Sequence, residues 1–339
     1  MSAPGRLRPF DDFGLNPGAL TAKSYVPDTL SPRSALVVVL HGCTQDADGY
    51  DHRSGWSELA DRHGFALLYP EQPRSNNPAG CFNWFAAQDI SRGSGEAMSI
   101  HQMIESAIER HEIDPRRVFV TGLSAGGAMA VAMLAAYPEL FAGGAIIAGL
   151  PYATATSVPE ALDRMRGHRL PAAPALEASV RGASDFTGPW PTLSVWQGDA
   201  DRTVDAVNAE AILAQWRGVH GLSETPHVSE AIDGATRRAW RDEAGREVIE
   251  AWSIAGMGHG TPIDAGPDGV GTAGPYMLDV GLSSTQHIAA HWGLIPPQPL
   301  VARRRAARQP AAAPRRQPPA AAALPTAADG VGKVIEDAL

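Results

Sequence analysis

Short apolar runs alternate with segments of helical periodicity along most of the chain, and this alternation constrains the fold more than any other feature. Runs such as LVVVL have the length and composition of strands buried on both faces of a sheet. They occupy residues 36–40, 65–69, 118–121, 144–148, 192–197 and 248–254. Helical spacing marks residues 55–63, 97–111, 125–136, 207–219 and 283–292. The alternation predicts an α/β protein whose mostly parallel central sheet carries helices on both faces.

The predicted domain covers residues 1–297. Residues 151–191 interrupt the alternation with a Pro-, Ala- and Gly-rich excursion that has one helical stretch near 158–166. We interpret it either as a lid over the site or as a plain surface insertion. Residues 227–241 predict a β-hairpin around Gly234. Residues 298–339 are rich in Pro, Ala and Arg, which predicts a solvated, disordered tail with a short helix at its end.

Charge and motif content exclude several classes of protein. The formal net charge of −9 argues against nucleic acid as a partner. No apolar run reaches the roughly 18 residues that a membrane span needs, and the N-terminal sequence lacks the apolar segment of a signal peptide, which favours the cytoplasm. Because neither C-x-x-C nor H-E-x-x-H occurs, we predict no metal and no cofactor. The two cysteines, Cys43 and Cys81, could pair or stay reduced, and the oligomeric state stays open.

Residues 118–129, VFVTGLSAGGAM, contain a G-x-S-x-G motif centred on Ser124. This motif occurs by chance in glycine-rich chains, so its context decides. Here a predicted strand precedes it and a predicted helix follows it, as at the nucleophile turn of serine hydrolases. Parallel sheets bind ligands beyond the carboxyl ends of their strands, where Ser124 would lie. A serine at this turn needs an acid and then a histidine later in the chain.

The acid is expected in the loop that follows the strand at 192–197. Asp199, Asp201 and Asp205 all lie there. We favour Asp201, because Gly198 would make the turn and direct Asp201 back along the strand ends. Asp199 would then cap or brace the loop.

The histidine is expected after the last strand. His259 lies in the glycine-flanked loop GMGHG directly after residues 248–254, where glycines permit a sharp turn. The other histidines beyond the acid loop are His220, His227, His287 and His291, and we interpret them as ordinary structural residues.

An acyl-transfer site also needs backbone N–H groups that stabilise the oxyanion of the tetrahedral intermediate. The N–H of Ala125, at the start of the helix after Ser124, is one candidate. The N–H of Cys43 is the other, because Gly42 allows a close backbone approach in the loop after the first strand.

Five motifs together resemble the esterase family of poly(3-hydroxybutyrate) depolymerases, relatives of feruloyl and acetylxylan esterases. They are LHGCTQ, CFNWF, GLSAGGAM, GDADRTV and GMGHG, and the resemblance covers about residues 12–294. It implies an α/β-hydrolase fold and an acyl-enzyme mechanism in which Ser124 is the nucleophile, Asp201 the acid and His259 the base. It also implies that Cys43 supplies an oxyanion donor and pairs with Cys81. Trp84 then contacts substrate, with a core tryptophan as the alternative.

The function expected from this resemblance is hydrolysis of 3-hydroxyalkanoate esters or oligomers. Hydrolysis of feruloyl or acetyl esters of plant polysaccharides is the alternative. An acyltransferase and an inactive binding protein on the same fold are further alternatives. The family implies an extracellular location, whereas the N-terminal sequence favours the cytoplasm. Secreted depolymerases of this family usually carry a separate polymer-binding domain, which this sequence does not show, so the degradation of solid polymer stays open.

Overall fold

The computed structural model of the protein describes residues 5–232 and 234–297. The predicted disordered tail at 298–339 and its terminal helix lie outside the described residues and stay predictions. Within the described ranges, no helix has the length and apolar content required to cross a membrane.

A ten-stranded sheet forms the centre of the molecule. Its strands are β1 (Arg8–Pro9), β2 (Thr21–Tyr25), β3 (Leu36–Leu40), β4 (Ala66–Glu71), β5 (Val118–Leu123), β6 (Gly143–Ile147), β7 (Thr192–Gly198), β8 (Val228–Ile232), β9 (Ala235–Arg241) and β10 (Glu247–Ile254). The order across the sheet is β1-β2-β4-β3-β5-β6-β7-β10-β9-β8. The six strands from β4 to β10 in this order pair in parallel, and the strands outside them pair antiparallel. The predicted mostly parallel sheet is confirmed.

Helices cover both faces of this sheet. They are α1 (Ala47–Ser54), α2 (Trp56–His63), α3 (Ala87–Ile90), α4 (Gly95–Arg110), α5 (Ala125–Ala136), α6 (Val158–Met165), α7 (Ala173–Arg181), α8 (Val207–His220) and α9 (Ser284–His291), with a 3₁₀ turn at Pro138–Leu140. Side chains of α4, α5 and α8 pack on one face, and side chains of α1, α2 and α9 pack on the other. Alternate residues of β3 point into the two layers, as the period of a strand requires.

Both elements that flank the candidate nucleophile are completely buried. All six residues of β5 and all twelve residues of α5 are buried. The sequence AGGAMAVAMLAA is apolar on every side, which is expected of a helix enclosed on all faces. Ser124 therefore lies between two rigid elements, each fixed by packing.

The structure contains elements that the sequence did not reveal. The N-terminal strands β1 and β2 are short and mostly polar, and α1 and α3 have little apolar periodicity. A separate two-stranded parallel sheet pairs β11 (Thr261–Ile263) with β12 (Met277–Asp279).

The excursion at 151–191 contains two helices, whereas the sequence predicted one. The helix predicted near 158–166 is present as α6, and α7 follows it. Proline obscured α7 in the sequence, yet Pro174 lies in its first turn, where the missing N–H has no helical partner to lose. Buried Gln215 of α8 fixes this region by donating hydrogen bonds to the carbonyl oxygens of Tyr152 and Leu176.

Candidate active site

Ser124 occupies a sharp turn between β5 and α5. Its backbone has φ 56° and ψ −118°, a left-handed conformation that is uncommon for a residue other than glycine. The surrounding structure holds this conformation: the Ser124 N–H donates to the carbonyl of Ile147 at 2.9 Å, and the Ser124 carbonyl accepts from Ala128 at 2.8 Å. Strain of this kind is concentrated at functional sites.

The two glycines of the G-x-S-x-G motif are required by crowding around this turn. A Cβ at Gly122 would overlap the carbonyl oxygen of Gly126, and a Cβ at Gly126 would overlap the carbonyl oxygens of Leu40 and His41. The turn therefore packs against the end of β3, and the motif has a structural reason at each glycine.

Asp201 lies in the loop after β7, and its side chain is completely buried. One carboxylate oxygen, Oδ1, accepts from the N–H groups of Thr203 at 2.8 Å and Val204 at 2.9 Å. The other, Oδ2, accepts from Gln197 Nε2 at 3.1 Å and faces His259 Nδ1 at 2.7 Å. Four partners hold the carboxylate in one orientation.

The two competing carboxylates have other partners. Asp199 accepts from the N–H of Gly256 at 2.6 Å and so braces the loop that carries the histidine. Asp205 accepts from the N–H of Val207 at the start of α8. Of the three, Asp201 is the one that meets His259.

His259 lies in the loop after β10, and this loop packs directly on the acid loop. The N–H of Ala200 donates to the carbonyl of Met257 at 3.0 Å, and a Cβ at Gly198 would overlap that same carbonyl oxygen. Because the His259 Nδ1 faces a carboxylate, Nδ1 carries the proton and Nε2 is left as the basic nitrogen. The imidazole is largely buried, with its ring edge-on to Tyr276.

Ser124 lies on the wall of a mostly apolar cavity. Cys43 and Ala125, the residues proposed from the sequence to supply oxyanion donors, line the same cavity. Its larger apolar side chains are Trp84, Phe85, Leu150, Val158, Leu162 and Met165. Three of these side chains come from α6, so the excursion at 151–191 contributes directly to the cavity.

Trp84 is both buried and part of this cavity. Its side chain is 7% exposed and packs edge-on against Phe85, with ring centroids 5.8 Å apart. The sequence allowed two interpretations, a core tryptophan and a substrate-contacting one. A residue that is buried and also lines the cavity is compatible with both. Contact with substrate stays a prediction.

A disulfide joins Cys43 to Cys81 in the cavity wall, with their Cα atoms 4.3 Å apart. The pairing implied by the family resemblance is confirmed. It links the loop after β3 to the segment CFNWF. The neighbouring residue, Thr44, strengthens this link because its N–H donates to the carbonyl of Ala79 at 2.8 Å.

We expect that no thiol of the unfolded, unreduced protein reacts with Ellman's reagent, because both cysteines of the chain are paired. Full reduction should release both thiols and lower the free energy of unfolding by about 4 kcal/mol, as expected for a crosslink that closes a loop of this length. Denaturant titration with and without reductant measures this difference. Two reactive thiols before reduction would contradict the pairing.

Sequence reasoning missed a buried polar layer behind the loop after β3. His41 is completely buried, with Nδ1 2.8 Å from the carbonyl of Gly42 and Nε2 accepting from the Gln72 N–H at 3.1 Å. Burial lowers the pKa of His41, so its ring is neutral, with the proton on Nδ1. The position of a histidine directly after the apolar run LVVVL was the signal available in the sequence.

The fold is that of an α/β-hydrolase, and the relatives of this chain make it a carboxylic ester hydrolase. Residues 20–240 match the family described as "Esterase PHB depolymerase", and the chain belongs to that family. It is 43% identical over 293 residues to poly(3-hydroxyalkanoate) depolymerase C of Paucimonas lemoignei, covering 85% of this chain and 70% of that protein. The resemblance noted from the sequence is confirmed.

Relatives also include esterases with other named substrates. The chain is 31% identical over 267 residues to feruloyl esterase B of Talaromyces stipitatus, covering 76% of this chain and 73% of that one. Among solved structures, the acetyl xylan esterase from Aspergillus awamori has a TM-score of 0.73 and 25% identity, covering 86% of this chain and all of that one.

Proposed function

We propose that the protein hydrolyses esters through an acyl-enzyme on Ser124. Two observations support this proposal: the hydrogen bond between Asp201 and His259, and the strained turn that carries Ser124. In the first half-reaction, Ser124 Oγ attacks the ester carbonyl while His259 Nε2 takes the hydroxyl proton. That proton then passes to the departing alcohol. In the second half-reaction, His259 takes a proton from water, and the hydroxide attacks the acyl carbonyl. Ser124 Oγ then leaves, taking the proton back from His259, and the free acid is released.

The N–H groups of Cys43 and Ala125 stabilise the oxyanion in both half-reactions. Ala125 is the first residue of α5, so its N–H has no partner within the helix and lies at the positive end of the helix dipole. Cys43 lines the same cavity from the loop after β3, where the disulfide restrains it. Fixed donors of this kind stabilise a developing charge without rearrangement.

The substrates that we favour are esters and oligomers of 3-hydroxyalkanoates. The 43% identical relative is named for action on poly(3-hydroxyalkanoate). The cavity agrees with a short aliphatic acyl group, because its lining is apolar and includes Trp84, Phe85 and three residues of α6, Val158, Leu162 and Met165. In this arrangement α6 decides which acyl groups fit.

Acetyl or feruloyl ester hydrolysis is the second candidate. The likeness to the acetyl xylan esterase from Aspergillus awamori favours it, since that structure is covered along its whole length. An acetyl group is small enough for the same cavity, so acetyl esters differ from the favoured substrates mainly in the alcohol that leaves. A feruloyl ester differs in its acyl group as well, which is bulky and aromatic.

A substrate panel separates these candidates. We expect purified protein to release acid from a 3-hydroxybutyrate trimer faster than from methyl ferulate or acetylated xylan, and to do so only when Ser124 is present. The panel is assayed at equal concentrations with the wild type and Ser124→Ala, and amorphous polyhydroxybutyrate film tests action on polymer. Faster serine-dependent turnover of ferulate or acetylxylan would overturn the preferred substrate.

Two further outcomes would overturn the hydrolase itself. Transfer of the acyl group to an added alcohol in preference to water would indicate an acyltransferase. Tight binding of the trimer without any turnover would indicate a binding protein.

A further inference from the structure

Glu96, in the first turn of α4, is a buried carboxylate that the mechanism above does not use. Its side chain is inaccessible to solvent and accepts three hydrogen bonds. The Asn83 backbone N–H donates to Oε2 at 2.9 Å, and Asn83 Nδ2 donates to Oε1 at 2.7 Å. Gln72 Nε2 is the third donor, also to Oε1.

The hydrogen bonds of two asparagines run in one fixed direction towards Glu96. Asn77 Oδ1 accepts from the N–H groups of Ala79 at 3.0 Å and Cys81 at 3.4 Å. Its Nδ2 is therefore turned to Asn83 Oδ1, at 2.8 Å, which leaves Asn83 Nδ2 to donate to Glu96. The two backbone N–H groups fix the orientation of the Asn77 side-chain amide, and this in turn fixes that of Asn83. The side chain of Glu96, which comes last, must therefore accept a hydrogen bond. We call Asn77, Asn83 and Glu96 the amide relay.

A second branch leads from Glu96 to the other side of the same loop. Gln72 Nε2 donates to the carbonyl of Cys81 at 3.1 Å as well as to Glu96. The Gln72 N–H donates to His41 Nε2, and the opposite nitrogen of His41 contacts the carbonyl of Gly42.

Both branches end on residues that determine where Cys43 lies. The amide relay fixes Cys81, which is bonded to Cys43, and Ala79, whose carbonyl holds Thr44. The Gln72 branch fixes Gly42, the residue before Cys43. The backbone of Cys43 is therefore held from both neighbours and through its own side chain.

We propose that Glu96 is a positioning residue that sets the oxyanion-stabilising N–H of Cys43 through the amide relay and Gln72. The inference rests on the proposed function, since it assumes that this N–H stabilises the oxyanion. Glu96 does not touch the cavity, and its effect passes through the loop at 77–83.

Burial of Glu96 has an electrostatic cost. Burial raises the pKa of Glu96 to about 8, with a further increase from the charge of Asp89, although the three hydrogen bonds oppose it. Burying the charged form is costly, which is why the pKa is raised, and an apolar side chain of similar volume would often stabilise the fold as well or better. What an apolar side chain cannot do is accept hydrogen bonds from Asn83 and Gln72.

Two variants test the inference, and one variant is a matched control. Glu96→Gln keeps an acceptor for the side-chain amides but turns its own NH₂ towards the Asn83 backbone N–H. Asn83→Ala removes the centre of the amide relay at a half-buried position and leaves the Asn83 backbone bond to Glu96 in place. The control is Asp51→Asn, because Asp51 is also a buried carboxylate with three donors, from Ser57 and Tyr69, and lies outside the cavity lining.

We measure kcat and KM for p-nitrophenyl acetate, and Ki for butylboronic acid, which forms a tetrahedral adduct on a catalytic serine. We expect both test variants to lower kcat by about 10- to 100-fold with KM changed less than about threefold, because a displaced donor acts on the transition state and not on the bound substrate. The Ki should rise in parallel with the loss in kcat. Asp51→Asn should lower the melting temperature and leave all three constants near wild-type values.

The outcomes separate this inference from the proposed function. If Ser124→Ala is inactive while folded Glu96→Gln or Asn83→Ala keeps kcat within about twofold of wild type, the positioning role is wrong. Should Glu96→Gln not fold, Asn83→Ala decides by the same criterion. Equal losses in kcat for Asp51→Asn would also overturn the inference, because they would show a general effect of destabilisation. Full activity of Ser124→Ala would instead overturn the proposed function.

Discussion

Replacing Ser124 by alanine is expected to lower kcat for p-nitrophenyl acetate by about 10⁶-fold, the scale of nucleophile removal in other serine hydrolases. The substitution deletes the atom that forms the acyl-enzyme and leaves the remaining site in place. Alanine lacks only the hydroxyl, and the turn is held by backbone hydrogen bonds to Ile147 and Ala128, so the fold should be unchanged. Circular dichroism and the melting temperature check this second expectation.

A matched control for this variant is Ser54→Ala. Ser54 is also buried, lies at the end of α1 outside the cavity lining, and makes one long side-chain hydrogen bond to the carbonyl of Asp51. Its replacement should leave kcat unchanged. Retention of more than a few per cent of activity by folded Ser124→Ala, relative to this control, would contradict the role assigned to Ser124.

Asp201→Asn is expected to lower kcat by about 10⁴-fold, whereas Asp199→Asn should cost less than about tenfold. An asparagine at 201 can present an NH₂ group to His259 Nδ1, which favours the tautomer protonated at Nε2. In that tautomer Nε2 cannot take the proton of Ser124. At position 199 the amide oxygen can still accept from the Gly256 N–H, so the loop keeps its brace. The two substitutions are chemically identical and lie in one loop, so each controls for the other.

The pH dependence of kcat/KM gives the supporting measurement for both variants. The reverse ranking of the two variants would assign the acid to Asp199. Equal and small losses in both would show that neither carboxylate orients the histidine.

The central sheet could be predicted from sequence because its strands are enclosed. β3, β5 and β6 are buried at every residue, and such strands are recognisable as continuous apolar runs. β2 could not be predicted in this way, since TAKSY is polar and becomes a strand by pairing with β4, more than 40 residues later. Its stability comes from a long-range partner and not from its own residues.

The arrangement of the candidate site could also be predicted from the order of the strands. Ser124, Asp201 and His259 each follow a strand, and strand order along the chain limits where such residues can meet. The structure joins Asp201 to His259 directly. The catalytic roles themselves stay predictions that the variants above test.

The polar layer behind the site, which includes His41 and Glu96, could not be predicted from sequence. Glu96 belongs to an amphipathic helix and would ordinarily be placed on its solvated face. Its donors, Gln72 and Asn83, are 24 and 13 residues away in the chain and meet it only through the tertiary fold. Gln197, which donates to Asp201, was also not identified from sequence. A polar residue at the end of the buried run TLSVWQ was the signal available.

Direct detection of the acyl-enzyme is the most decisive measurement. The protein is mixed with p-nitrophenyl acetate, quenched in acid within the first turnover and digested, and the peptides are analysed by mass spectrometry. The account predicts one acetyl group, carried by Ser124 and absent from Ser124→Ala. Ester hydrolysis at the wild-type rate without acetylation of Ser124, or with the acetyl group on another residue, would contradict it.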